Sequence, residues 1–146
     1  MLKFITKTNN DLSLLFVRLV VAAVMFPHGA QKVLGWFGGY GYLGTYTYLT
    51  KQIGAPAPFA ILAIATEFLG PVALALGLFG RAAAAGIVSI MAVAVATVHF
   101  KNGFFMNWSG AQAGEGFEYH ILMAALALLI VFKGSGAYSV DRKISA

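Results

Sequence analysis

Four apolar runs constrain this chain more than any other feature. They cover about Leu12 to Leu34, Pro58 to Phe79, Ala82 to Phe100 and Phe117 to Phe132. Each is close to the roughly 20 residues with which a helix crosses hydrocarbon. Backbone polar groups in a bilayer must be bonded within the chain, so runs of this kind are helices. Composition enters as support: 10% of the 146 residues are charged, against roughly 25% in a soluble domain. A chain this short has too much surface to hide the excess of apolar side chains in a core. The sequence therefore predicts an all-α, polytopic membrane protein, a four-transmembrane-helix bundle forming one domain over residues 1–146.

Loop charges set the expected topology. An even number of crossings puts Lys3, Lys7, Arg81, Lys133, Arg142 and Lys143 on one side of the membrane. Lys51 and Lys101 fall on the other, with Lys32 near its edge. The excess of basic residues marks the cytoplasmic side, so both termini are expected there, in a cell inner membrane. The first run does not read as a cleaved leader, because Arg18 interrupts it and it is too long. The net charge of +5 comes without a basic stripe interleaved with aromatics, so no nucleic acid is expected as partner. The absence of cysteine excludes disulfides and a dithiol centre.

The stretch VMFPHGAQKVLGWFGG, Val24 to Gly39, places Pro27, His28 and Lys32 inside or at the end of the first run. Ionisable groups in hydrocarbon cost a few kcal/mol each and are functional by default. The others are Arg18, Glu67, His99, Glu118 and His120. Counting the helical rise from each entry point brings His28, Lys32, His99, Glu118 and His120 to the outer half of one bundle, with Glu67 close to the middle of its span. His28 and Lys32, four apart, share a face. Glu118 and His120, two apart, do not, and Glu118 is expected to point inward with His120 at the interface. Pro71 and Pro27 free the carbonyls of Glu67 and Ala23, which become acceptors beside a polar cavity or mere kinks. GWFGGYG reads as a hinged lid, with Trp36 and Phe37 over the pocket. The small residues Ala82, Gly86, Ala85 and Ser89 at four-residue steps predict close helix packing.

The residue types narrow the chemistry. A di-iron carboxylate bundle needs Glu-x-x-His pairs, and EYH has the wrong interval. His28 and His99 as haem ligands across the bundle rest on two histidines whose faces are not fixed. A cation held by His28, Glu67, His99 and Glu118 would compete with Lys32, and no metal is assigned. A lysine beside histidines suits an anionic or quinone-like oxygen. His28, Lys32, His99 and Trp36 are then the ligand-binding candidates, with Glu67 and Glu118 moving protons as catalytic groups. The competing account is structural. Arg18 would pair with Glu67 and Arg81 with Asp141 to hold helix register, while Lys32 snorkels to the headgroups.

These residues resemble the DoxX family. RLVVAAVMFPHGAQKVLGWFGG, TEFLGPVALALGLFGRAAA, VHFKNGF, GFEYH and GSGAYSVD carry the likeness, with Arg18, His28 to Lys32, Glu67, Arg81, His99 and Asp141 in order. It extends from about Leu15 to Asp141. The resemblance implies a four-helix bacterial inner-membrane protein linked to redox physiology. Relatives include subunits of thiosulfate:quinone oxidoreductase and membrane partners of oxidative-stress complexes. The expected function is that of a membrane subunit of, or accessory to, a quinone-linked oxidoreductase system, without independent activity. The alternatives are a small-solute or proton transporter, and a scaffold with a purely structural polar network. The expected partners are the lipid bilayer, a redox-enzyme subunit and further copies of the chain; quinone is the candidate cofactor.

Overall fold

The computed structural model describes residues 5–145. Lys3, one of the topology signals, lies outside them. The described residues contain helices and connecting turns and no strand.

Helix α1 spans Leu12–Leu34. Asp11 caps it, its carboxylate accepting from the N–H groups of Ser13 and Leu14 at 2.7 and 3.4 Å, which satisfies two donors that have no partner within the helix. Gly35, at φ 71°, ends it in the left-handed conformation that glycine adopts without strain. A short helix α2, Gly41–Thr47, follows and continues as a π turn, Tyr48–Gln52. Helix α3 spans Ala57–Leu76 and is followed almost at once by α4, Gly80–Ala94. Helix α4 runs on through a π turn, Val95–His99, and a 3₁₀ turn, Phe100–Asn102. Helix α5 spans Glu118–Lys133, and α6, Val140–Ser145, closes the described chain.

Helices α1, α3, α4 and α5 pack in a ring, each against the next and α5 against α1. The core between them holds Val21, Met25, Leu74, Ile87, Met123, Ala127 and Ile130. Outward, Phe16, Leu62, Leu122 and Phe132 are more than 60% exposed. An exterior of that kind calls for lipid rather than water. Among the described residues three helices, Leu12–Leu34, Ala57–Leu76 and Gly80–Asn102, are long and apolar enough to cross a membrane. Helix α5, with 16 residues, reaches only about 24 Å at the usual rise, short of the roughly 30 Å of hydrocarbon.

The two ends of the described chain meet at one end of the bundle. Ala137 N donates to the Asp11 carbonyl at 2.9 Å and Gly136 N to Thr8 Oγ1 at 2.7 Å. Arg18 is buried there, its Nη2 donating to the carbonyls of Tyr138 and Ala137 at 2.9 and 3.3 Å. Asp141, also buried, accepts from the N–H groups of Phe79 and Gly80 at 2.7 and 2.9 Å and from Ser135 Oγ at 2.5 Å. It thereby caps α4 from the far end of the sequence, where α4 has no capping side chain of its own. Arg81 donates to the carbonyls of Lys7, Val131 and Phe132.

The expected pairs of Arg18 with Glu67 and Arg81 with Asp141 are therefore not the contacts formed. Both arginines serve main-chain carbonyls, because helix ends and turns expose acceptors that the apolar surroundings cannot satisfy. Asp141 stays close enough to Arg18 to attract it electrostatically.

Candidate functional site

At the opposite end of the bundle Lys32 of α1 forms an ion pair with Glu67 of α3. The Glu67 side chain is 7% exposed and that of Lys32 38%. The pair depends on how closely the two helices approach. Gly29, one turn before Lys32, lies against the Glu67 main chain, and a Cβ there would sit 2.7 Å from Phe68 Cα and overlap the Glu67 carbonyl. That carbonyl is the one Pro71 deprives of its helical donor. It is covered by the Gly29 backbone, a close helix contact of the kind that Cα–H groups make with carbonyls. A reading in which it lines the cavity is replaced by one in which it marks the α1–α3 contact.

The π turn at the end of α4 sets His99. An extra residue per turn re-aims side chains, and such turns recur at functional sites. His99 Nδ1 lies 2.9 Å from the Glu115 carbonyl. A carbonyl only accepts, so Nδ1 carries the proton and Nε2 is the nitrogen still available. The His99 ring lies 4.1 Å, centroid to centroid, from that of His120 on α5. His120 is 7% exposed and its Nδ1 has no hydrogen-bond partner. Tyr119 continues the array, 5.4 Å from the His120 ring and 6.1 Å from that of His28 on α1. Its hydroxyl donates to Met25 Sδ at 3.6 Å.

A cavity of about 800 Å³ opens between α3 and α4, and Lys32, Glu67 and His99 are among the residues that line it. His28 does not line it; it is exposed and faces Tyr119. Trp36 is 51% exposed and also lies away from the cavity walls, packed edge-on to Phe37. The expectation of a Trp36 lid is corrected accordingly: Gly35 turns the chain so that both rings face outward.

Glu118 accepts from Met106 N at 2.9 Å, and neighbouring Glu115 from Asn107 N at 2.7 Å. These carboxylates hold the loop between α4 and α5. His120, not Glu118, points inward, which reverses the expected assignment of those two faces. Their opposition follows from helical geometry, but the choice between them is made by the loop that folds back over the start of α5. Tyr119 and His120 were missed as inward groups for that reason. Among the described residues no three His, Asp or Glu side chains come together in a way that would hold a metal ion. The donors considered for one are divided, Glu67 to Lys32 and Glu118 to the loop.

The chain is similar to three curated proteins along most of its length. An uncharacterized protein of Haemophilus influenzae is 32% identical over 134 residues, 89% of each chain. The inner membrane proteins YphA and YqjF of Escherichia coli are 28% and 26% identical. The first match covers 89% of each chain, the second 95% of this one and 97% of the relative. No solved structure matches. The DoxX family model matches residues 13–100, which include Arg18, His28, Lys32, Glu67 and His99. Together with the three apolar helices, these matches make the protein an inner membrane protein, and the chain belongs to the DoxX family.

Proposed function

We propose that this protein is a membrane subunit that binds a small oxygen-bearing molecule of the quinone type at the Lys32–Glu67 end of the bundle, in the service of an oxidoreductase system. One observation carries the reading: a nearly buried carboxylate, paired with a part-exposed lysine, opens onto a large cavity that a histidine also lines. A lysine ammonium has three donors and Glu67 occupies one. The remaining lysine donors offer hydrogen bonds to a ligand oxygen, while His99 Nε2, which carries no proton when Nδ1 donates to the Glu115 carbonyl, accepts from a ligand hydroxyl such as that of the reduced form. Glu67 is the group that exchanges a proton with it. His28 and His120 do not line the cavity. Glu118 keeps the loop in place.

The bundle crosses the membrane four times in this proposal, with both termini in the cytoplasm. The charge distribution supports it: Lys7, Arg81, Lys133, Arg142 and Lys143 lie at the end where the termini meet, and Lys51 and Lys101 at the other. Helix α5 completes its crossing by local thinning of the bilayer around a short span.

A structural role for the polar network is the second reading, favoured by the mutual neutralisation of Lys32 and Glu67. The double variant Lys32→Met/Glu67→Leu separates the two. It removes both charges at once, so the fold survives. Loss of quinone binding by the purified double variant in nanodiscs supports the binding role. Unchanged binding refutes it.

A further inference from the structure

Away from Lys32, Glu67 and His99 the cavity continues along the seam between α3 and α4. Its walls there are small or apolar, among them Leu62, Ala73, Ala82, Gly86 and Val93. Two of the wall hydroxyls are bonded within their own helix. Ser89 Oγ donates to the Ala85 carbonyl at 2.9 Å and Thr97 Oγ1 to that of Val93 at 2.8 Å. The floor is closed because Gly86 meets Thr66: a Cβ at Gly86 would lie 2.6 Å from Thr66 Cγ2. The rims, Leu62 and Val93, are 61% and 58% exposed on the lipid-facing surface. The groove thus opens to the bilayer and not only to water.

Its dimensions select the occupant. From Ala82 to His99 the helical rise amounts to about 26 Å, most of the hydrocarbon thickness. A volume of about 800 Å³ spread over that length leaves a mean cross-section of about 31 Å². A helix about 10 Å across needs roughly 80 Å², so a helix of a second copy can cover the mouth of the groove but not lie within it. One hydrocarbon chain fits. The Lys32–Glu67 pair specifies the head. Lys32 and Glu67 neutralise each other, so a phosphate would bring an uncompensated negative charge beside a buried carboxylate, whereas a neutral oxygen is matched by the free donors.

Building on the proposed role of Lys32, we infer that the ligand is a neutral amphiphile with a single hydrocarbon chain. Its oxygen-bearing head rests at Lys32, Glu67 and His99. Its chain lies in the α3–α4 groove, reached sideways from the bilayer.

Two benzoquinones that share a ring, one carrying a decyl chain and the other a methyl group, test this in nanodiscs. Ser89→Leu and Ala82→Leu each place bulk on an exposed wall of the groove, on α4, which carries neither Lys32 nor Glu67. Each is expected to weaken the decyl compound by about tenfold, the equivalent of roughly two methylenes left unburied. The methyl compound should bind both variants as it binds the wild type, which also shows that they are folded. Lys32→Met should weaken both compounds. Wild-type affinity for the decyl compound in both leucine variants overturns the groove while leaving the polar site standing. No binding of either compound by the wild type removes the polar site and the groove with it. Native mass spectra in which the leucine variants release a phospholipid, or dissociate a dimer, also overturn the single-chain assignment.

Discussion

Replacing Lys32 by methionine is the most informative perturbation of this bundle. Methionine keeps the length and apolar stem of lysine and removes the charge, leaving Glu67 with 7% exposure and no cation. Breaking a fully buried pair by deleting one member costs about 3–5 kcal/mol. Lys32 is 38% exposed, so solvent already screens part of the attraction, and about 1–3 kcal/mol is the expected loss. Glu67→Leu alone should cost less, since an unpaired lysine at that exposure can reach the headgroups. The double variant should return to within about 1 kcal/mol of the wild type, because similar-sized apolar residues replace a pair whose desolvation offset much of its gain. Equilibrium unfolding in detergent micelles, carried through the four corners of the cycle, reads the coupling directly. A coupling energy below about 0.5 kcal/mol would mean that the two sites behave independently. The ion pair would then hold nothing together, and the reasoning from burial would be refuted.

Asp141→Ala removes a buried acceptor of three hydrogen bonds, and a loss of about 2–4 kcal/mol is expected in the same unfolding assay. Asp141→Asn should lose less, since its amide oxygen can still accept from the α4 N–H groups, and equal losses for the two would speak against remote capping. Gly29→Ala should cost about 2 kcal/mol or more through overlap with the Glu67 and Phe68 backbone; an unchanged melting temperature would show that α1 and α3 can separate without penalty. His120→Phe should fall within about 1 kcal/mol of the wild type, because Nδ1 has no partner to lose and an aromatic ring still packs on His99. A large destabilisation of that variant would reveal a bond from His120 that supports the fold.

What the sequence determined by itself is the all-helical, membrane-embedded character of the chain and where its long apolar helices lie. That information is local: unbroken apolar stretches have one stable form in hydrocarbon, and a helix satisfies its own backbone without help from elsewhere. The four-residue spacing of His28 and Lys32 and the opposition of Glu118 and His120 are equally local consequences of helical geometry. Which of the last two faces inward is not, because the loop bonds from Met106 and Asn107 to Glu118 and Glu115 arise only when that loop folds back. The pairing of charges is also tertiary. Arg18 and Glu67 look matched in depth, yet Arg18 is claimed by carbonyls 119 and 120 residues away, and Lys32 reaches Glu67 because Gly29 lets α1 settle against α3. The groove between α3 and α4 likewise depends on where Gly86 touches Thr66 and where the helices then diverge. Apolarity and periodicity travel along the chain, but partner choice and empty volume depend on distances between helices, and those exist only once the bundle has packed.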